Sequence, residues 1–292
     1  MRSSRASAAC RSFAHDRRRP AGRSRRASVA VIGTPAKPAG TAPTGLGRTM
    51  RRDRWWIAPG AQAVLFTALA TYLFFSGIVW TPLFGTAYEV DGYLSPLFSP
   101  LIAPGWLPAF ISPGLLILWI PLGFRATCYY YRKAYYRFYF ADPPGCAVGE
   151  PTIHRRYAME ARFPFIIQNL HRYFLYLAFI PLFFLWVDAI ASLFPEGGPR
   201  LGLGSAVFFV NVILLTGFSL SCNSLRHLAG GRLDCFSCSR RERVQYSLWQ
   251  RLTSLNVHHM AWAWVSFVSV SLADVYVRLL ALGVITDPTI RL

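Results

Sequence analysis

Thiol and imidazole groups are concentrated in one stretch of this 292-residue chain, from Cys222 to His259. These 38 residues contain three of the six cysteines and three of the six histidines. Thiolate and imidazole are the protein ligands of zinc and of iron–sulfur clusters. The sequence therefore predicts a metal site whose ligands are Cys222, His227, Cys235, Cys238 and His259.

Four interpretations fit these residue types. We favour a Rieske-type [2Fe-2S] cluster, in which two cysteines bind one iron and two histidines bind the other. Its imidazole ligands raise the reduction potential, which suits electron delivery to a quinone. The second interpretation is a structural zinc ion bound by three cysteines and one histidine. The third is a single haem b, and the fourth is a pair of reduced thiols beside histidines that cap helices. The histidines available for haem are His171, His227, His258 and His259.

Polar side chains at the start of a long apolar run predict a quinone contact. We expect His171, Arg172 and Tyr173 to hold a quinone carbonyl, while Trp262 or Trp264 packs on the quinone ring. Interfacial snorkelling and helix capping are the alternative roles for the same polar residues. The sequence contains no nucleophile elbow, phosphate loop or pair of catalytic carboxylates, so we expect no catalytic residue in this chain.

The segments that must position these groups are apolar. With 53% hydrophobic and 15% charged residues, the composition is typical of an integral membrane protein. Five runs approach the roughly 20 residues that cross a bilayer core. They are residues 61–80, 110–131 with a kink at Pro121, 165–186, 203–222 and 259–282. We therefore expect an all-α membrane bundle of five transmembrane helices.

Prolines and basic residues predict how the bundle is arranged. Residues 93–109 are apolar but contain four prolines, which predicts a non-helical interfacial or re-entrant segment. Residues 82–109 contain no Lys or Arg, whereas residues 125–163 contain seven. The next connection has only Arg200, and residues 223–258 contain six. By the positive-inside rule, the N-terminus and the basic loops are cytoplasmic and the C-terminus is external, in a plasma membrane.

This topology places the predicted ligands at one membrane face. No histidine remains for the outer half of the membrane, so we do not expect two stacked bis-histidine haems. The cysteines outside the Cys222–His259 stretch are expected to be free thiols; they are Cys10, Cys128 and Cys146. Asp274 and Arg278 are four residues apart in the last run, which predicts a structural ion pair.

The N-terminal segment has a different composition. Residues 1–49 are rich in Arg, Ser, Ala and Pro without apolar periodicity, which predicts a disordered extension before a membrane domain over residues 50–292. Alternatively, translation begins at Met50. The first 54 residues hold 14 of the 31 Lys and Arg. The other basic residues lie in short loops between apolar runs, where membrane topology explains them. We therefore expect membrane lipid, and no nucleic acid, as a partner.

Several motifs resemble one family. One of them reads RATCYYYRKAYY from Arg125, and the motifs together occupy Arg125–Tyr136, Asp142–Pro151, Gln168–Tyr176, Cys222–Cys238 and His259–Val265. From Met50 to the C-terminus, the chain resembles the cytochrome b-like membrane-anchor subunit of actinobacterial-type succinate dehydrogenase or fumarate reductase. The resemblance implies that a flavoprotein subunit and an iron–sulfur subunit dock at the cytoplasmic face. It also implies electron transfer to a membrane quinone, and menaquinone is the quinone we expect. The resemblance is compatible with a higher oligomer of the complex.

The resemblance also bears on the cofactor. Five-span anchors of this class often hold two haems, but this sequence lacks outer histidines. A Rieske-type centre is then the replacement that the resemblance implies. In the family, as we picture it, a histidine often follows the first cysteine of the Cys222 motif. Here that position is Asn223, so the expected imidazole ligands are His227 and His259.

Overall fold

A computed structural model describes residues 53–139, 161, 163, 165–195 and 198–291. The described chain is mostly helical, as predicted, and it contains four helices long and apolar enough to cross a membrane. The first is α1, Ile57–Phe74, which continues through a π-helical segment, Phe75–Trp80, into α2, Thr81–Phe84. The other three are α5, His171–Ala191, α6, Leu203–Leu220, and α9, His259–Ala281. The predictions for residues 1–49, Met50 and the motif at 142–151 lie outside the described residues.

The second predicted span, residues 110–131, is not confirmed as a full crossing. Helix α3 covers Leu115–Ala126, which is 12 residues with Pro121 inside. At 1.5 Å per residue it is about 18 Å long, less than the roughly 30 Å of a bilayer core. The chain leaves the helix at Thr127 and re-enters one at α4, Tyr129–Tyr139. Cys128 lies in this break.

The proline-containing segment before α3 is non-helical apart from one short turn, as predicted. Strands β1, Glu89–Val90, and β2, Tyr93–Leu94, form a hairpin, and a 3-10 turn follows at Pro96–Phe98. Tyr93, Leu97 and Phe98 are buried. The first half of the segment therefore packs into the bundle, whereas Leu101, Ile102 and Trp106 in its second half are exposed.

Two further helices occupy the stretch that the sequence analysis treated as a basic loop. They are α7, Asn223–Gly230, and α8, Arg240–Val257. Ser239 caps α8, because its hydroxyl accepts a hydrogen bond from the Glu242 backbone N–H over 3.2 Å. The two helices pack against each other as a hairpin. At this end of the molecule, the Asn256 amide donates to the Ser221 carbonyl over 2.7 Å and so joins α8 to the end of α6.

The connections alternate between two ends of the bundle. At one end, β3, Arg200–Gly202, pairs antiparallel with β4, Thr289–Arg291, and the Tyr93 hydroxyl donates to Asp287 over 2.6 Å. We call this the strand end, and we call the opposite end, which carries α4, α7 and α8, the α8 end. The grouping matches the alternation that the basic residues predicted.

The predicted Asp274–Arg278 pair is confirmed. Arg278 Nε lies 3.6 Å from Asp274 Oδ1, and the Asp274 side chain is fully buried. Its carboxylate also accepts a hydrogen bond from the Tyr72 hydroxyl over 2.7 Å and bonds from Ser76 and Ser95. The pair thus ties α9 to α1 and to the hairpin segment, which fits a structural role.

Candidate metal centre

Two histidine–cysteine pairs meet at the α8 end of the bundle. The Nε2 atom of His171 lies 3.2 Å from the sulfur of Cys222, and the Nε2 atom of His259 lies 3.7 Å from the sulfur of Cys128. Both sulfurs belong to buried residues, and both histidines are half-buried. We call Cys128, His171, Cys222 and His259 the four-residue cluster.

Each member of the cluster lies where a helix begins or ends. Cys128 occupies the break between α3 and α4, and Cys222 the break between α6 and α7. His171 and His259 are the first residues of α5 and α9. Because these breaks fall at the same depth of the bundle, residues distant in sequence converge on one volume.

Aromatic rings fix the planes of both imidazoles. The Phe124 ring stacks on His171 with centroids 4.9 Å apart, and the Phe218 ring stacks on His259 with centroids 5.3 Å apart. A glycine allows the helices behind His171 to approach closely, because a Cβ atom at Gly123 would overlap the Phe174 ring. Packing therefore orients the histidines without any bound ligand.

Two hydroxyl groups determine which imidazole nitrogen carries the proton. Thr127 Oγ1 donates to the Gly123 carbonyl over 2.7 Å and lies 3.0 Å from His171 Nδ1. When the single proton of the Thr127 hydroxyl points to the Gly123 carbonyl, the oxygen accepts an Nδ1–H of His171. Ser221 does the same for His259: its hydroxyl donates to the Phe218 carbonyl over 3.0 Å and lies 2.7 Å from His259 Nδ1.

The consequence is that both Nε2 atoms present lone pairs to the thiols. A histidine that binds a metal through one nitrogen usually donates its other N–H to a neighbouring acceptor, which sets the tautomer. Here the acceptors are Thr127 and Ser221. Two imidazole nitrogens and two sulfurs are the donor types that a Rieske-type cluster uses, and here each sulfur lies beside one imidazole.

A positive charge stands beside the cluster. Arg125, in the last turn of α3, donates to the Tyr131 hydroxyl over 2.6 Å and to Ser266 Oγ over 3.0 Å. Its guanidinium lies 4.6 Å from the centroid of the Phe218 ring, whose other neighbour is His259. Arginine remains protonated in proteins, so a fixed positive charge lies next to the four-residue cluster.

The structure does not bring the five predicted ligands together. Cys222 and His259 belong to the four-residue cluster, but His227 is exposed and its Nδ1 lies 3.4 Å from Arg172. Cys235 and Cys238 form a disulfide in the loop before α8. In the part of the chain that the structure describes, the residue grouped with this cysteine pair is Glu242, not Cys222.

The sequence analysis did not place Cys128 and His171 beside Cys222 and His259. Cys128 is a free thiol in the structure, as predicted, and His171, which was assigned to a quinone or a haem, lies 3.2 Å from the Cys222 sulfur. The sequence analysis assigned Cys235 and Cys238 as ligands because of their Cys-x-x-Cys spacing. The four-residue cluster instead combines one residue from each of four distant segments. The available signal was the polar break at Thr127, immediately before Cys128, within an otherwise apolar run.

A polar pocket of about 380 Å³ opens beside His171. Three of the four predicted quinone contacts line it, His171, Arg172 and Tyr173, while Trp262 does not. Trp262 packs on Gly217, where a Cβ atom would overlap its ring. The other lining residues are Thr127, Tyr129, Arg132, Gln168, Asn169 and Ser224.

An apolar cavity of about 370 Å³ lies on the other side of the cluster. Phe124 and Phe218, the two rings that stack on the histidines, form part of its wall, together with Arg125 and Tyr131. The cavity continues towards the strand end, where Leu97 lines it. His171 thus lines the polar pocket, and the rings that stack on the two histidines line the apolar cavity.

Comparisons with known proteins agree with this architecture. The family model described as actinobacterial succinate dehydrogenase subunit SdhC matches residues 61–283, a range that includes the whole four-residue cluster. A chain of the Mycobacterium smegmatis Sdh1 complex in the apo form is 39% identical, with a TM-score of 0.71. The match covers 84% of the present chain and 95% of the mycobacterial chain. No curated protein matches the sequence.

Proposed function

We propose a function from the premise that this chain belongs to the family of actinobacterial succinate dehydrogenase subunits SdhC. It is an SdhC-type, multi-pass membrane subunit of that enzyme. In our proposal the chain receives electrons from an iron–sulfur subunit and delivers them to a membrane quinone, with menaquinone as the expected acceptor. The dicarboxylate site then belongs to the flavoprotein subunit.

The observation that supports this proposal is that two histidine–cysteine pairs lie at the same end of the bundle, each with an Nε2 atom beside a sulfur. We propose that Cys128, His171, Cys222 and His259 hold a Rieske-type [2Fe-2S] centre. Such a centre, when bound, supplies one-electron transfer at a potential raised by its imidazole ligands. The chain contributes the donor atoms, the Thr127 and Ser221 acceptors, and the rings that exclude water from one side.

The test is metal analysis and low-temperature EPR of the dithionite-reduced complex, with His171→Ala and His259→Ala as variants. We expect two additional irons per complex and a rhombic low-average-g signal, both absent from the variants. Haem bands in the visible spectrum would replace this proposal with a haem b bound by the histidines. Zinc without extra iron would instead favour a non-redox membrane scaffold with a structural Cys/His zinc site.

We further propose that the quinone head group binds in the polar pocket beside His171. The pocket offers charged and hydroxyl donors, Arg172 and Tyr173, at the edge of the four-residue cluster. Arg172→Gln and Tyr173→Phe should raise the KM for quinone and leave succinate oxidation by an artificial acceptor unchanged. Tyr176→Phe is the matched control, because Tyr176 is exposed one turn further along α5 and lies outside the pocket. An unchanged quinone KM in all three variants would move the site to the apolar cavity.

Topology and docking complete the proposal. We place the α8 end in the cytoplasm, because α8 begins with basic residues and the positive-inside rule assigns such segments to that side. The iron–sulfur and flavoprotein subunits then dock at this end, next to the four-residue cluster. If moderate salt releases those subunits, electrostatic attraction contributes to their binding. If binding is insensitive to salt, the interface is mainly apolar.

A further inference from the structure

The cysteine pair excluded from the four-residue cluster has its own geometry. Cys235 and Cys238 have Cα atoms 5.8 Å apart and lie in the loop between α7 and α8. Their sulfurs and a carboxylate oxygen of Glu242 all lie within 4.8 Å of one another. Donor atoms around a tetrahedral zinc ion are roughly 3.5–4 Å apart, given Zn–S bonds of about 2.3 Å and Zn–O bonds of about 2.1 Å. The Glu242 carboxylate therefore lies within the reach of a metal ion bound by the two sulfurs, which the structure shows joined in a disulfide.

An unpaired oxygen at Glu242 supports the same interpretation independently. Within the described residues, Oε2 of Glu242 is shielded from solvent and has no hydrogen-bond partner. A buried carboxylate oxygen without a donor is costly unless a cation compensates for it. Because Ser239 caps α8 and Glu242 lies in its first turn, the backbone holds this carboxylate facing the cysteine loop.

We infer that Cys235, Cys238 and Glu242 form a zinc site separate from the redox centre, with water as the fourth ligand. The pair reaches the zinc-binding state when cytoplasmic thiols reduce the disulfide: one protein disulfide and two small-molecule thiols give two protein thiols and one small-molecule disulfide. Binding of Zn²⁺ by the two thiols then releases two protons. The site goes beyond the proposed electron-transfer function and does not depend on it, except that the cytoplasmic reductant assumes the proposed orientation.

The zinc ion would order a stack of rings across the α7–α8 hairpin. Phe236, which lies between the two cysteines in sequence, packs on Tyr246 with centroids 4.7 Å apart. Tyr246 stacks on Trp249 at 5.9 Å, and the Arg226 guanidinium of α7 lies 4.7 Å from the Trp249 ring. Loss of zinc should therefore loosen the loop and expose it to proteases without emptying the four-residue cluster.

The test uses the complex purified under thiol reductant without added metal. Zinc is measured per chain in the native protein and in Cys235→Ser, Cys238→Ser and Glu242→Gln, with Ser237→Ala as the control within the same loop. We expect one zinc per chain in the native and control proteins, loss in both cysteine variants and weaker retention in Glu242→Gln. Iron content and quinone reduction should stay at the native level throughout, which separates this inference from the proposed function.

A second measurement uses only the native complex, so it remains informative if the variants fail to assemble. In the native complex, mass spectrometry should find Cys235 and Cys238 protected from alkylation until a zinc chelator is added. Equal zinc in the native and cysteine variants would overturn the site. A persistent disulfide in complex purified and trapped under reductant would overturn it too, as would loss of iron instead of zinc from the variants.

Discussion

The hydroxyl of Thr127 should control how tightly the proposed redox centre is held. Its oxygen accepts the Nδ1–H of His171 over 3.0 Å while its proton goes to the Gly123 carbonyl over 2.7 Å. Thr127→Val replaces the hydroxyl with a methyl group of similar volume. The His171 Nδ1–H then loses the Thr127 acceptor, which weakens the preference for this tautomer over the one with the proton on Nε2, the nitrogen that faces Cys222.

The size of the effect follows from that geometry. An unsatisfied buried donor costs about 1–3 kcal/mol, and 1.4 kcal/mol is about a factor of ten in affinity. Losing a neighbour that orients a metal-binding histidine typically weakens metal binding by about 10- to 100-fold. Both routes predict that iron is lost from the Thr127→Val complex at a roughly 10- to 100-fold lower chelator concentration than from the native complex. Ser221→Ala should act similarly through His259.

The assay is iron retention during a chelator titration of the purified complex, followed by EPR. Thr127→Ser keeps the hydroxyl and should behave as the native protein does. Thr216→Val is the matched control, because Thr216 Oγ1 also donates to a carbonyl one turn back, at Val212, and also accepts a ring N–H, from Trp186. Native iron retention in Thr127→Val, or equal iron loss in Thr216→Val, would refute the reasoning.

Three further predictions concern packing and charge. Gly123→Ala should lower the unfolding midpoint and disturb the EPR signal, because its methyl group overlaps the Phe174 ring; overpacking of this kind costs about 1–3 kcal/mol. Asp274→Ala should destabilise the complex by about 3–5 kcal/mol in thermal unfolding while iron content is retained, because Arg278 loses its buried partner. At Asp287, burial opposes ionisation, but hydrogen bonds from two tyrosines and a backbone N–H outweigh it and lower the pKa. A carboxyl group whose pKa is lower in the folded state stabilises the fold at pH values above its unfolded pKa of about 3.9. This stabilisation is lost as the pH falls through the pKa of the folded state. Asp287→Asn should therefore flatten the loss of stability measured below about pH 4.

Apolar run length and charge alternation were sufficient to predict most of the bundle. The four long helices, the non-helical proline segment and the Asp274–Arg278 pair all follow from local pattern. The second predicted span is longer than helix α3 in the structure, because prolines before Leu115 and the break at Thr127 shorten the helix. The sequence analysis did not predict helix α8, because its many polar residues indicated a loop. The N-cap residue Ser239, whose side chain accepts a hydrogen bond from the Glu242 backbone N–H, was the signal for a helix start.

The site was less predictable than the fold, for a physical reason. His171 and Cys222 are 51 positions apart in the sequence, and Cys128 and His259 are 131 positions apart. Helix packing, not spacing along the chain, brings them together. The Cys-x-x-Cys pair is local and therefore conspicuous, and in the folded chain its neighbour is Glu242.

The most direct test of the central claim compares two pairs of cysteine variants in the purified complex. Iron content and the EPR signal are measured for Cys128→Ala and Cys222→Ala against Cys235→Ala and Cys238→Ala. If the four-residue cluster holds the redox centre, the first pair loses both the extra iron and the signal, and the second pair keeps them. Retention of the signal in Cys128→Ala, or its loss in Cys235→Ala, would contradict the account.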